Sequence, residues 1–204
     1  MNFSIPPVTW ALLIANLLIF LLQQFAGQAL YINFALWPLH TDPGFGVSFM
    51  PWQLLTYSFL HAGLGHVFFN MFALFMFGSE LEHYLGQRRY LIYYFVAVLA
   101  AGLMQLLVTL APGGTPYPTV GASGGVFGLL LAYGMFFPRR MIMLIFPPIP
   151  MPAWLFVTLY GVLELYLGVT GTQAGVAHFA HLGGMLGGFI MIKYWQGRYP
   201  NRRR

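Results

Sequence analysis

The chain is written as long apolar runs separated by short polar or proline-containing interruptions, and run length carries more information than any amphipathic period. About 20 apolar residues, each rising about 1.5 Å, cross the hydrocarbon core of a bilayer. Runs near that length occupy roughly residues 8–25, 65–84, 90–110, 121–137, 153–168 and 175–194. They predict an all-α integral membrane protein with six transmembrane helices. No basic residue precedes the first run and no small-residue cleavage site follows it, so it is expected to be a retained span rather than a signal peptide.

Charge placement supports the same count. The nine basic residues are Arg88, Arg89, Arg139, Arg140, Lys193, Arg198, Arg202, Arg203 and Arg204. Six spans put both termini, and the connections after the second and fourth spans, on one side. Every lysine and arginine then falls there, and the positive-inside rule makes that side cytoplasmic. Five or seven spans would scatter the charges across both faces. The net charge of +5 and pI of about 9.6 are therefore topology signals. Nucleic acid is not implied, because the basic residues show no aromatic interleaving and no basic face. With 59% hydrophobic residues, 6% charged and a mean hydropathy of +0.72, the chain lies outside the range of soluble domains. Cysteine is absent, which excludes disulfides, thiolate metal sites and thiol catalysis. The expected organisation is a single membrane domain over residues 1–204, with a core of about 8–195 and a short basic cytoplasmic tail at 196–204.

The outer face receives residues 26–64, 111–120 and 169–174. The first of these segments carries Trp37, Phe45, Phe49, Trp52 and Tyr57, aromatics that favour the membrane interface. It is expected to form a membrane-embedded outer loop of short helices. The run PPIPMP at 147–152 reads as a helix-breaking cytoplasmic connection.

Polar groups at membrane depth are costly and mark candidate sites. His66 and Asn70 stand near the start of the second run, Ser123 at the start of the fourth and His181 in the sixth. All three runs enter from the outer face, so these residues share one layer about one to two turns deep. His66 and Asn70 are four apart and share a helix face. Gly124, Gly128 and Ala132 form one small-residue stripe, and Ala177, His181, Gly184 and Gly188 form another. Such stripes let helices pack backbone to backbone, which would bring Ser123 and His181 together. A nucleophilic serine needs a base and donors aimed at the developing oxyanion. His181 fits the base, and Asn70, His66 and the Ser123 amide fit the donors.

Other readings stand beside this one. Ser123 could be only a small packing residue, and GASGG at 121–125 also fits a nucleophile elbow, although that motif needs a strand and sheet that helical spans do not supply. His178 is the rival base, one turn nearer the outer surface. Glu164 in the fifth run could orient His181 as a third member, but a structural hydrogen-bonding or water-contact role is favoured. His61 is expected to bond the outer loop and hold it against the second span, while His40 and His83 read as interfacial. The four scattered acids suggest no metal cluster.

Three motifs resemble the rhomboid intramembrane serine proteases in their minimal six-span bacterial form: HVFFN at 66–70, GASG at 121–124 and AHLGGMLGG at 180–188. The resemblance implies a dyad without an acid, Ser123 as nucleophile and His181 as general base, with an oxyanion hole of Asn70, His66 and the Ser123 amide. It implies supporting roles for Phe127, Gly121, Gly124 and Gly184, with Phe127 standing where the family usually stacks a tyrosine on the histidine. No cofactor or metal is implied. The implied partners are the lipid bilayer and transmembrane protein substrates, cut near the outer end at a small residue, with the fifth span and residues 171–173 as the gate. Trp52 and Gln53 replace a frequent Trp-Arg pair, and Glu82 resembles a recurrent acid whose expected role is to bond backbone or Arg88 and Arg89. The alternatives are an inactive relative that binds transmembrane clients and a small transporter.

Overall fold

A computed structural model describes residues 5–40, 46–110, 117–144, 148–171 and 175–198. Helix α1, Pro7–Phe34, starts on a proline at its first position, where no backbone N–H is needed. Glu82 caps it from a distant part of the chain. Its carboxylate accepts from Val8 N at 3.0 Å, Thr9 N at 2.7 Å and Thr9 Oγ1 at 2.8 Å. Glu82 thus meets backbone donors at the positive end of a helix dipole, one of the two roles expected of it. Ala26 has non-helical angles, and beyond this kink α1 continues into what the sequence suggested would be loop.

In the outer segment, α2 (Gln53–Thr56) leads into a 3-10 turn at Tyr57–Phe59. Gln53 organises the segment: its Oε1 accepts from Trp37 N at 3.2 Å and Met50 N at 3.1 Å. Leu36 and Thr119 pair as an isolated antiparallel bridge, tying the first outer segment to the second. Phe45 lies outside the described residues.

The second run folds as α3 (Leu64–Ala73), a π-helical turn (Leu74–Gly78) and α4 (Ser79–Leu85). After Gly86 come α5 (Gln87–Thr109) and α6 (Ser123–Phe136). The connection that follows α6 contains an antiparallel hairpin, β1 (Met141–Met143) with β2 (Pro150–Pro152), in which Met141 faces Pro152. Pro147 lies outside the described residues. Helices α7 (Ala153–Thr170) and α8 (His178–Arg198) complete the chain, and Arg202 to Arg204 of the basic tail also lie outside the described residues.

A helix therefore forms in each of the six apolar runs. Among the described residues, four helical segments are long and apolar enough to cross a membrane: Pro7–Phe34, Leu64–Leu85, Gln87–Thr109 and Ala153–Thr170. Helix α6 has 14 residues, about 21 Å against a hydrocarbon core of about 30 Å. None of its residues is exposed, so it packs against protein along its length and is not held to the bilayer's thickness. Helix α8 has the length, at 21 residues, but glycines, histidines and Lys193 dilute its apolar character.

The core lies where α5, α6 and α8 meet. Tyr90, Tyr93 and Tyr94 of α5 are fully buried, and the Tyr93 hydroxyl donates to the Gly128 carbonyl at 2.7 Å. At the α6–α8 contact, a Cβ on Gly184 would run into the Gly124 carbonyl. The small-residue stripes are thus the surface on which the two helices meet. Helix α7 differs: Trp154, Leu159, Val162, Leu163, Leu165 and Tyr166 are exposed, the pattern of a helix bathed in lipid.

Candidate active site

Ser123 is the first residue of α6. The chain enters through Gly121, whose φ of 127° is unfavourable for any residue with a Cβ. The Gly121 N–H donates to the Tyr57 carbonyl at 2.9 Å, and the Tyr57 hydroxyl donates to the Val98 carbonyl at 2.8 Å. The outer-loop turn thereby fixes the approach to the serine against α5.

From that position, Ser123 Oγ lies 2.8 Å from His181 Nε2. The His181 ring lies parallel to Phe127, with centroids 4.2 Å apart and 7° between planes. Phe127 is one turn below Ser123 on α6, so a single helix holds both the hydroxyl and the ring that steadies the imidazole. The close approach at Gly124 and Gly184 sets the separation that this contact requires.

On its far side, His181 Nδ1 lies 2.8 Å from Glu164 Oε2. The same oxygen is 2.7 Å from His178 Nδ1. His178 makes no hydrogen bond to Ser123, and its Nε2 is buried without a partner. Two imidazole nitrogens and a carboxylate oxygen within 4.8 Å of one another are chemically able to hold a cation, which revises the expectation that the acids form no cluster. In this structure both nitrogens point at one carboxylate oxygen, and hydrogen bonding accounts for them.

His66 and Asn70 form a neighbouring pair on α3. His66 Nδ1 accepts from the Ala62 N–H at 3.3 Å, so its proton sits on Nε2. Asn70 Nδ2 donates to the His66 carbonyl at 2.9 Å. A Cβ on Gly121 would lie 2.7 Å from His66 Nε2 and 3.5 Å from Ser123 Oγ, so the missing side chain leaves the space between ring and hydroxyl clear.

His61 departs from expectation. Its main chain, not its ring, holds the outer loop, and it holds it to α1: the His61 N–H donates to Gln23 Oε1 at 3.0 Å, and Gln23 Nε2 donates to the His61 carbonyl at 3.1 Å. The ring packs edge-on to His66 at 5.1 Å, and neither of its nitrogens has a hydrogen-bond partner. Burial, and secondarily the nearby His66, lower the His61 pKa to about 4.

The rhomboid domain model matches residues 48–196, which include every residue of this site. The chain belongs to the rhomboid family. This rhomboid is 29% identical over 141 residues to "Rhomboid protease GluP" of Bacillus subtilis (strain 168), covering 68% of this chain and 25% of that protein. It is 38% identical over 82 residues to "Putative rhomboid protease YdcA" of the same organism, covering 40% of this chain and 39% of that one. With "Rhomboid protein 1, mitochondrial" of Saccharomyces cerevisiae (strain ATCC 204508 / S288c) it shares 32% identity over 144 residues, covering 65% and 38%. The matches span between 25% and 39% of the length of these curated relatives. Family membership and the four long apolar helices make this rhomboid a multi-pass integral membrane protein.

Two contributions in this rhomboid were not assigned from its sequence. One is Tyr57, whose carbonyl anchors the turn before Ser123; nothing in its local pattern signals that. The other is the bond between Glu164 and His178. Its trace was present, since His178 and His181 are three apart on one helix face and Glu164 is an acid inside an apolar run.

Proposed function

We propose that this rhomboid is an intramembrane serine endopeptidase that uses Ser123 as nucleophile and His181 as general base. The observation that carries the reading is the 2.8 Å contact between Ser123 Oγ and His181 Nε2 in a member of this family. As Oγ attacks the scissile carbonyl, its proton passes to Nε2. The oxyanion is stabilised by the Ser123 N–H, the Asn70 amide and His66 Nε2–H. Support comes from the position of Ser123 at the start of α6, where backbone donors have no intrahelical acceptor. Asn70 Nδ2 also keeps a second N–H beyond the one given to His66. His181 then protonates the leaving amine, and water activated by the same ring hydrolyses the acyl-enzyme.

The proposed setting is a six-span domain with its core at about residues 8–195, in a bacterial inner membrane with both termini cytoplasmic. The site then lies near the periplasmic face, where water can reach it. The partners are the bilayer and transmembrane protein substrates, unwound and cut near their outer ends at a small residue. The gate is α7 together with the connection at 171–173, of which 172–173 lie outside the described residues. The exposure of α7 supports that assignment.

The test is purified protein in detergent with a transmembrane substrate, comparing wild type with Ser123→Ala and His181→Ala. Both variants should lose cleavage, and fluorophosphonate labelling should require both residues. Cleavage that survives Ser123→Ala overturns the mechanism. Binding of substrate without cleavage or labelling identifies a client-binding relative instead.

A further inference from the structure

Of the four acidic residues in the chain, Glu164 alone stands within an apolar run away from the inner end and the outer loop. A carboxylate buried there must have partners, and it has two, His181 Nδ1 at 2.8 Å and His178 Nδ1 at 2.7 Å on a single oxygen. An ionised carboxylate only accepts, so both nitrogens are donors. A neutral imidazole with its proton on Nδ1 presents a lone pair at Nε2. For His181 that lone pair faces Ser123 Oγ.

We infer that Glu164 is a positioning residue for catalysis: it holds His181 in the tautomer that can accept the serine proton, forming a Ser123–His181–Glu164 chain, while His178 pins the carboxylate from the other side. The inference rests on the protease reading above. The bookkeeping of protons is simple. Oγ–H loses its proton to Nε2 as the Oγ–carbon bond forms and the carbonyl electron pair moves to oxygen. Nδ1–H stays on the ring and Glu164 stays ionised beside the imidazolium, so the carboxylate takes up no proton at any step. Collapse of the intermediate returns the proton from Nε2 to the leaving amine. Because Glu164 is on α7 while His178 and His181 are on α8, the correct tautomer also depends on α7 being docked.

Glu164→Gln separates this role from a structural one. The amide keeps the size of the side chain and an acceptor oxygen, so a merely structural bond would survive, whereas the charge that favours the imidazolium is lost. Expected is a fall in kcat on the order of 100-fold, with KM within about twofold and melting unchanged. Glu164→Asp should regain part of the rate. A second measurement needs no substrate: 15N NMR of histidine-labelled protein in micelles should show His181 with its proton on Nδ1, and Glu164→Ala should release it to a tautomer mixture. An unchanged kcat in Glu164→Gln overturns the inference, as does a wild-type His181 protonated on Nε2 alone. Should wild type neither cleave nor label, the protease reading fails, and the tautomer measurement still decides the role of Glu164.

Discussion

The imidazole of His181 is held by contacts that differ in kind, and each can be removed separately. Phe127 contributes a stacked ring, worth about 0.5–1.5 kcal/mol for an aromatic pair, which corresponds to roughly 2- to 10-fold. Phe127→Ala should therefore lower kcat by about that factor while sparing KM, measured by steady-state cleavage; an unchanged rate removes the role. Gly121 acts through shape, because an alanine there combines a strained φ with a contact of 2.7 Å to the His66 ring. Gly121→Ala should abolish fluorophosphonate labelling by tilting the turn that presents Ser123, and full labelling would show that the turn can absorb the methyl group. His61 supplies a pH dependence of stability. Its pKa falls from about 6.5 in the unfolded chain to about 4 in the fold, so between these values the unfolded state binds more protons. Folding stability is thus complete above the unfolded value and declines as pH drops toward 4. From pH 7 to pH 5 the loss is on the order of 2 kcal/mol. Melting in detergent should fall with pH less steeply in His61→Phe than in wild type, and an equal fall in both removes the role.

At the scale of elements, the α6–α8 contact decides whether Ser123 and His181 meet. Gly184 faces the Gly124 backbone with no flexible side chain between them, so Gly184→Val must push the helices apart. Overpacking of this kind costs about 1–3 kcal/mol or more, and the variant should melt lower and lose labelling together. Gly197→Ala on the same helix meets nothing within 4 Å and should leave both unchanged. The glycine stripes that make this contact were readable from the sequence, as were the six helical runs. Apolar run length and residue spacing encode those features directly. The π turn at Leu74–Gly78, the hairpin between α6 and α7, and the shortness of α6 were not readable, because neighbouring helices rather than local pattern decide them. The azimuth of α7 was equally hidden. Without it, Glu164 could be seen as an acid at span depth but not as the partner of both His178 and His181.

For the whole molecule, the proposed orientation rests on charge and on how the ends of the helices are tied. Arg140 pairs with Glu80, and Glu82 caps α1, so the start of α1, α4 and the α6–α7 connection form one polar layer. Ser123, at the opposite end of α6, then belongs to the other face. Helix α1 is about 42 Å long, more than the roughly 30 Å it must cross. In the proposed topology its residues beyond the kink at Ala26 project past the hydrocarbon on the same side as Ser123. The absence of cysteine makes single-cysteine variants clean reporters of this arrangement. Gln28 and Gln87 are both exposed, one past the kink and the other at the start of α5. In bacterial spheroplasts, Gln28→Cys should react with a membrane-impermeant maleimide added outside, and Gln87→Cys only after permeabilisation. If both react from outside, the two positions share a face and the six-span topology is wrong. If only Gln87→Cys reacts, the protein is inverted and the serine opens toward the cytoplasm.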